Sequence, residues 1–278
     1  MKQFKVALQL YSIRDAMEKD MDAALGAVKA MGYDYVEFAG YFDKTADEVK
    51  ALLDKHGLTC ISVHQGIDPF LGDGAMDMVN YLKTIGATYC AIPWYPIENL
   101  SDDAGRAETV ENFTKVGELL KANDIKLMYH NHDFEFNTYD GKYLLDWMYE
   151  TISADVLMPQ IDTCWVHYAG VNPAEYVEKY AGRIKVLHLK DFVCSKLGGG
   201  PVYALIDENG KEMKDVPKEE KGFEFRPVGY GIQDFPAILA AAEKAGVEYV
   251  VVEQDNSPDG DPLGDAKKSR EYLKTLGL

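Results

Sequence analysis

Six ionisable residues stand at the ends of short apolar runs scattered along the chain: Glu37, His64, His130, Asp162, His188 and Glu253. Each ends or nearly ends its run, as in Tyr35-Val36-Glu37-Phe38 and Tyr249-Val250-Val251-Val252-Glu253. A single histidine in such a place has a plain reading as a hydrogen-bonded structural residue. A glutamate is harder to dismiss, because an unpaired buried carboxylate is costly. Together the six form a donor set of oxygen and imidazole nitrogen without thiolate. That set suits Mn²⁺ first, with Mg²⁺, Co²⁺ or Zn²⁺ as the other divalent ions, in a site open to substrate. A bound ion polarises a carbonyl or hydroxyl and steadies an enediolate, while flanking carboxylates or imidazoles move protons.

Residues so far apart meet only if the elements that carry them bring their strand ends together. Eight apolar runs, at 6–10, 35–38, 60–64, 89–93, 126–130, 157–162, 184–188 and 249–253, alternate with amphipathic stretches. Four of those stretches stop at Gly32, Gly57, Gly86 and Gly246, as helices closed by a left-handed residue do. Thr45 followed by Glu48 reads as a capping box. Eight strand-then-helix units in 278 residues predict an α/β chain folded as one (β/α)8 TIM barrel over residues 1–278. No Gly-x-Gly-x-x-Gly turn follows the first run, which argues against a dinucleotide-binding sheet. In a barrel, the carboxyl ends of all strands open on one face. One stretch breaks the pattern: about residues 192–230 read as a long loop after the seventh strand, with a small hairpin at 202–210, and as a lid.

Composition narrows the partners. The chain has 29 basic and 46 acidic side chains, a net charge of −17, and 47% hydrophobic residues, enough for a sizeable core. Such acidity opposes a phosphate backbone, so no nucleic-acid partner is expected. No run of about 18 apolar residues occurs and the first residues do not read as a signal peptide, so no membrane association and a cytoplasmic location are expected. Cys60, Cys90, Cys164 and Cys194 form no CxxC pair and read as reduced thiols. The apolar and aromatic content of the loops is compatible with a homo-oligomer.

The strand-end motifs resemble the sugar phosphate isomerase/epimerase superfamily with the xylose-isomerase-like barrel, over nearly the whole chain. That group includes tagatose epimerases, inosose dehydratases, dehydroshikimate dehydratases and endonuclease-IV-type enzymes. The resemblance implies four metal ligands from strands five to eight, in the order Glu, Asp, His, Glu. Asp162 in Gln160-Ile161-Asp162-Thr163, His188 in Leu187-His188-Leu189-Lys190-Asp191 and Glu253 in Val252-Glu253-Gln254-Asp255 match the last three. The first ligand departs from the pattern. In Tyr129-His130-Asn131-His132-Asp133-Phe134-Glu135, His130 stands where glutamate is usual and Glu135 lies a few residues beyond. With His130 as ligand, His132 shares its strand face and is the base. With Glu135 as ligand, both histidines are free for proton transfer. A third reading has the site holding metal weakly or not at all. The reading taken forward makes His130, Asp162, His188 and Glu253 the metal ligands, and His132, Glu253, Lys190 and Glu135 the catalytic groups.

Around these, Lys190 either binds an oxyanion or pairs with Asp191 at the surface. Trp94 and Trp165 offer aromatic faces to a sugar ring, and Glu37, His64, His167 and Arg226 complete the expected substrate contacts. Trp165 occupies the place, three residues after the aspartate, where the family often has a histidine, so the acid/base pair of tagatose-type epimerases is not fully reproduced. The resemblance implies a metal-dependent isomerase or epimerase acting on a sugar, keto-sugar or cyclitol by proton abstraction alpha to a carbonyl. An alternative is a lyase or dehydratase on an inosose or 3-keto-glycoside, including C-glycoside cleavage, in which the same abstraction expels a beta leaving group. A third class is non-catalytic sugar binding or an endonuclease-IV-like nuclease, the latter opposed by the charge of −17 and the lack of a basic cluster.

Overall fold

The protein, described here from a computed structural model over residues 4–198 and 222–278, closes into a barrel of eight parallel strands. These are β1 (Lys5–Gln9), β2 (Tyr35–Ala39), β3 (Thr59–His64), β4 (Tyr89–Ile92), β5 (Lys126–His130), β6 (Leu157–Asp162), β7 (Val186–Leu189) and β8 (Tyr249–Val252). Each pairs with its neighbours in chain order, and β8 pairs back onto β1 through Ala7 and Val251. The outer ring is α1 (Arg14–Lys19), α2 (Met21–Met31), α3 (Ala46–His56), α4 (Ala75–Ile85), α5 (Asp103–Lys121), α6 (Leu144–Thr151), α7 (Thr163–Tyr168), α8 (Pro173–Lys179), α9 (Phe235–Ala245) and α10 (Pro262–Thr275). The expected boundaries hold where local chemistry sets them. Thr45 and Glu48 form the capping box that starts α3, and Gly86, at φ 85°, ends α4 in the left-handed conformation that β-carbons disfavour.

Side chains alternate along each strand between a core facing the helices and the barrel interior. The lower interior is an apolar plug of Ala7, Ile61, Tyr89, Ala91, Met128, Val186 and Val251. One step further along the same strand faces, the lining becomes polar: His130 follows Met128, His188 follows Val186, and Glu253 follows Val251. Register levels these residues, with Asp162 opposite His188 and Gln9 opposite Glu37.

One strand needs a correction to reach this level. Ile61 belongs to the interior plug, while Cys60 and Val63 lie in the core outside the barrel, so strict alternation would send His64 outward. The pairing of β2 with β3 shifts between Val36 and Glu37, where Val36 faces Cys60 and Glu37 faces Ser62. Ile61, skipped in this pairing, is the extra residue of a bulge, and the bulge turns His64 inward.

The long stretch after β7 is more than a loop at its described ends, because Asp191–Val193 and Glu224–Arg226 pair as antiparallel strands. The expected hairpin at 202–210 lies outside the described residues. Asp191 does not pair with Lys190. Its carboxylate accepts the backbone N–H groups of Phe192 (2.9 Å), Gly229 (3.0 Å), Gly231 (2.8 Å) and Gln233 (3.2 Å), which pins the returning chain to the barrel rim. No helix among the described residues is long and apolar enough to cross a membrane.

A β-carbon at Gly231 would stand 2.2 Å from Asp191 Oδ1 and 2.3 Å from Phe192 O. Gly231→Ala therefore forces the chain off its anchor and costs about 1–3 kcal/mol. Thermal melting checks this, since a chain of this size loses roughly 2–4 °C per kcal/mol, and an unchanged midpoint contradicts the anchor.

Candidate active site

His188 lies at the centre of the polar layer, fully buried between two carboxylates. Its Nε2 is 2.7 Å from Glu37 Oε1 and its Nδ1 is 2.9 Å from Glu253 Oε2. Burial alone would lower its pKa, but the two carboxylates outweigh burial and push it up to about 10. Glu37, expected as a substrate contact, is turned to the protein instead. It accepts Gln9 Nε2 at 2.8 Å and Gln160 Nε2 at 2.6 Å and pairs with both His188 and His64. Those two histidines hold its carboxyl well below the usual range against the effect of burial. Glu37 thus backs His188 from the side away from Glu253, an arrangement that fixes a ligating imidazole's orientation.

On the other side of His188, Glu253 and Asp162 face Lys190. The Lys190 ammonium, 1% exposed, is 3.0 Å from each of Asp162 Oδ2, Glu253 Oε2 and Asp255 Oδ1. Burial raises Asp162 to about 6 despite the neighbouring lysine. Glu253 is held well below its usual value, because Lys190 and His188 together overcome its burial. Asp162 Oδ1 also accepts Cys164 N at 2.8 Å, capping α7, which directs Oδ2 into the site.

His130 completes the layer, with Nε2 3.6 Å from Asp162 Oδ2. Its Nδ1 is buried without a hydrogen-bond partner, and Asp162 Oδ2 beside it meets the Lys190 ammonium. Burial first, then the neighbouring histidines, push its pKa well down, so it is a neutral imidazole with a lone pair to give. One donor atom from each of His130, Asp162, His188 and Glu253 lies within 4.8 Å of the others, and His64, His130 and His188 form a second such group. The residues fit a divalent cation on the chemistry of the donors and on the unpartnered buried Nδ1 of His130.

Glu135 is in neither group. Its carboxylate accepts Tyr129 Oη at 2.6 Å and the His132 backbone N–H at 2.7 Å, fully buried behind the turn. It positions the turn, and its carboxylate stands apart from the atoms that converge. The turn it holds brings His132 beside His130, ring centroids 5.3 Å apart, and stacks it on Phe134. Burial, then the Lys190 charge, lowers His132 to about 3, so its ring stays neutral.

The other expected contacts divide. Trp165 is fully buried, its ring 5.2 Å from Lys190 Nζ and stacked on Phe223, so it forms a wall of the site and shows no open face. His64 joins the Glu37 network, with Nε2 2.8 Å from Gln160 Oε1. Trp94 stands at the rim, 54% exposed. His167 turns away from the cluster, with Nδ1 2.8 Å from Gln233 Oε1, into a separate cavity of about 390 Å³ beside α8 and α9. Arg226 pairs with Glu224 on its own short strand. Sequence reasoning missed Gln9, Gln160 and Asp255. The first two escaped a rule that counted ionisable strand ends only, whereas Asp255, two residues after Glu253, follows the same alternation that gives Lys190 after His188.

A family model for the xylose isomerase-like TIM barrel matches residues 25–276. An inosose dehydratase of Clostridium beijerinckii is 26% identical over 167 residues, 59% of this chain and 52% of that protein, so the match spans about half of that relative's length. An inosose dehydratase of Geobacillus kaustophilus is 22% identical over 281 aligned positions, covering 92% of this chain and 87% of that one. Among solved structures, a sugar phosphate isomerase/epimerase from Parabacteroides distasonis superposes with a TM-score of 0.75 at 22% identity, covering 99% of this chain and 94% of that one. The IOLI protein with a bound zinc atom gives a TM-score of 0.68 at 16% identity over 99% of each chain. At these identities the structural likeness shows the fold.

Glu135, with an ordinary pKa of 4.5, is pushed up to about 8 by burial. The folded chain holds this proton more tightly than the unfolded one, so the stability it contributes is full below pH 4.5 and is lost as pH rises through 8. Glu135→Gln cannot ionise. Urea unfolding near pH 5 and near pH 8 should show the stability difference moving in the variant's favour, by at most about 1.4 kcal/mol per pH unit. A difference independent of pH contradicts the assignment.

Proposed function

The chain belongs to the xylose isomerase-like TIM barrel family, and from that premise we propose that it is a divalent-metal-dependent dehydratase acting on a small keto-sugar or keto-cyclitol. The observation that carries the reading is the buried set His130, Asp162, His188 and Glu253, with Lys190 and His132 on its edge. Those four residues would hold the ion. Two imidazoles and two carboxylates suit Mn²⁺, Co²⁺ or Zn²⁺ better than Mg²⁺, which prefers an all-oxygen shell. When bound, the ion polarises the substrate carbonyl and spreads the charge of the enolate.

The chain's own residues supply the proton transfers. His132, neutral because it is buried beside Lys190, takes the proton from the carbon next to the carbonyl. Lys190 Nζ donates to the hydroxyl on the following carbon as it leaves, so that a β-hydroxyketone gives an enone and water. The aromatic wall favours this outcome over epimerisation. Epimerisation needs a second acid/base group on the opposite face of the carbanion, and Trp165 stands where the family often has a histidine for that role. The name inosose dehydratase borne by the relatives supports the same outcome. Phe223 and Phe225, on the described flank of the long segment, close against Trp165 beside Lys190, which supports reading this flank as the part that opens for substrate. Three of the four free cysteines are buried, in keeping with a cytoplasmic enzyme.

Isomerisation or epimerisation shares the first step and differs in returning the proton to carbon. Incubation with Mn²⁺ and a panel of inososes and keto-sugars in D₂O separates them. Ultraviolet absorbance of an enone marks dehydration, deuterium at carbon without enone marks epimerisation, and neither with any member contradicts both. His132→Ala should lower turnover by roughly 10²–10⁴-fold with metal content unchanged; full activity in that variant removes His132 from the mechanism.

A further inference from the structure

The position of Lys190 has a consequence for the metal itself. Its ammonium touches Asp162 Oδ2 and Glu253 Oε2, on two of the four residues whose donor atoms converge, and it touches a third carboxylate, Asp255, which is outside that set. The groups facing it are these three carboxylates and the ring of His188, which lies between Glu253 and Glu37. Carboxylates so deeply buried need a cation among them, since a buried charge left without a partner is strongly destabilising. Lys190 and a divalent ion therefore seek the same oxygens, and two cations cannot share them at hydrogen-bond distance without strong repulsion in a site that excludes water.

We propose that Lys190 is the site's internal counter-ion: it holds Asp162 and Glu253 while no metal is bound, and gives them up when a divalent ion enters, so that it sets the affinity for metal. The inference rests on the four-residue set being the metal site. The retreat has a place to end. Lys190 can keep Asp255, 3.0 Å away, and the faces of Trp165 and Phe225, with ring centroids 5.2 and 5.9 Å from Nζ, while releasing the two ligand carboxylates. Asp255 is then the parking partner, and the short step between the two positions exchanges one cation for another without leaving any carboxylate bare.

Calorimetric titration of the chelator-stripped full chain with Mn²⁺ tests this. Lys190→Met should bind Mn²⁺ about ten-fold more tightly than the parent, a coupling of ordinary size for two mutually exclusive events. Lys190→Arg, which keeps the charge, should bind no more tightly than the parent. Asp255→Asn, which removes the parking partner and keeps Lys190, should bind Mn²⁺ several-fold more weakly than the parent, and this readout decides the matter if Lys190→Met fails to fold. Equal or weaker binding by a folded Lys190→Met, or equal or tighter binding by Asp255→Asn, overturns the inference and leaves the metal site standing. Absence of binding by parent and variant alike overturns both.

Discussion

Four carboxylates, Glu37, Asp162, Glu253 and Asp255, converge in a barrel interior almost sealed from water, and the interleaving of Lys190 and His188 does most to make that arrangement tolerable. Breaking such a set by removing one partner costs about 3–5 kcal/mol, a large share of the stability of a single domain. The apolar plug beneath it excludes water, and the wall of Trp165, Phe223 and Phe225 flanks it. The same exclusion that makes the charges costly makes them strong, which is what the proposed chemistry on a bound cation would draw on.

Much of the surrounding structure serves to hold that layer in register. The bulge at Ile61 brings His64 inward, where with Gln9 and Gln160 it fixes Glu37 behind His188. Glu135 ties the turn after β5 so that His132 sits beside His130. Asp191, on the opposite strand face from Lys190, gathers four backbone donors and fixes the chain that returns toward α9. Each device is a buried carboxylate whose acceptors are met by uncharged donors or histidine, so each differs in kind from Asp162 and Glu253, whose oxygens face the Lys190 ammonium.

The fold was legible because barrel strands are short apolar runs and their helices end in glycine, both local signals. The set His130, Asp162, His188 and Glu253 could be picked out by strand-end position together with the family resemblance, and the fold brings its donor atoms together. What the sequence could not separate was the partner of each polar side chain. Glu37 and Glu135 have the same residue type as a ligand, yet hydrogen bonds from Gln9, Gln160, Tyr129 and the His132 backbone commit them to support. His167 and Arg226 follow promising motifs but turn to Gln233 and Glu224. Lys190 was taken between an oxyanion site and a surface pair with Asp191, because adjacent residues on a strand face opposite ways and only the closed barrel shows what lies across from each.

The central claim is that the polar layer is a metal centre built from His130, Asp162, His188 and Glu253. Anomalous scattering from crystals grown with Mn²⁺ tests it most directly. The account predicts one strong peak within coordination distance of all four residues, with Glu37 behind His188 and outside the first shell. A peak coordinated by Glu135 in place of His130, or none in crystals at saturating Mn²⁺, would contradict it.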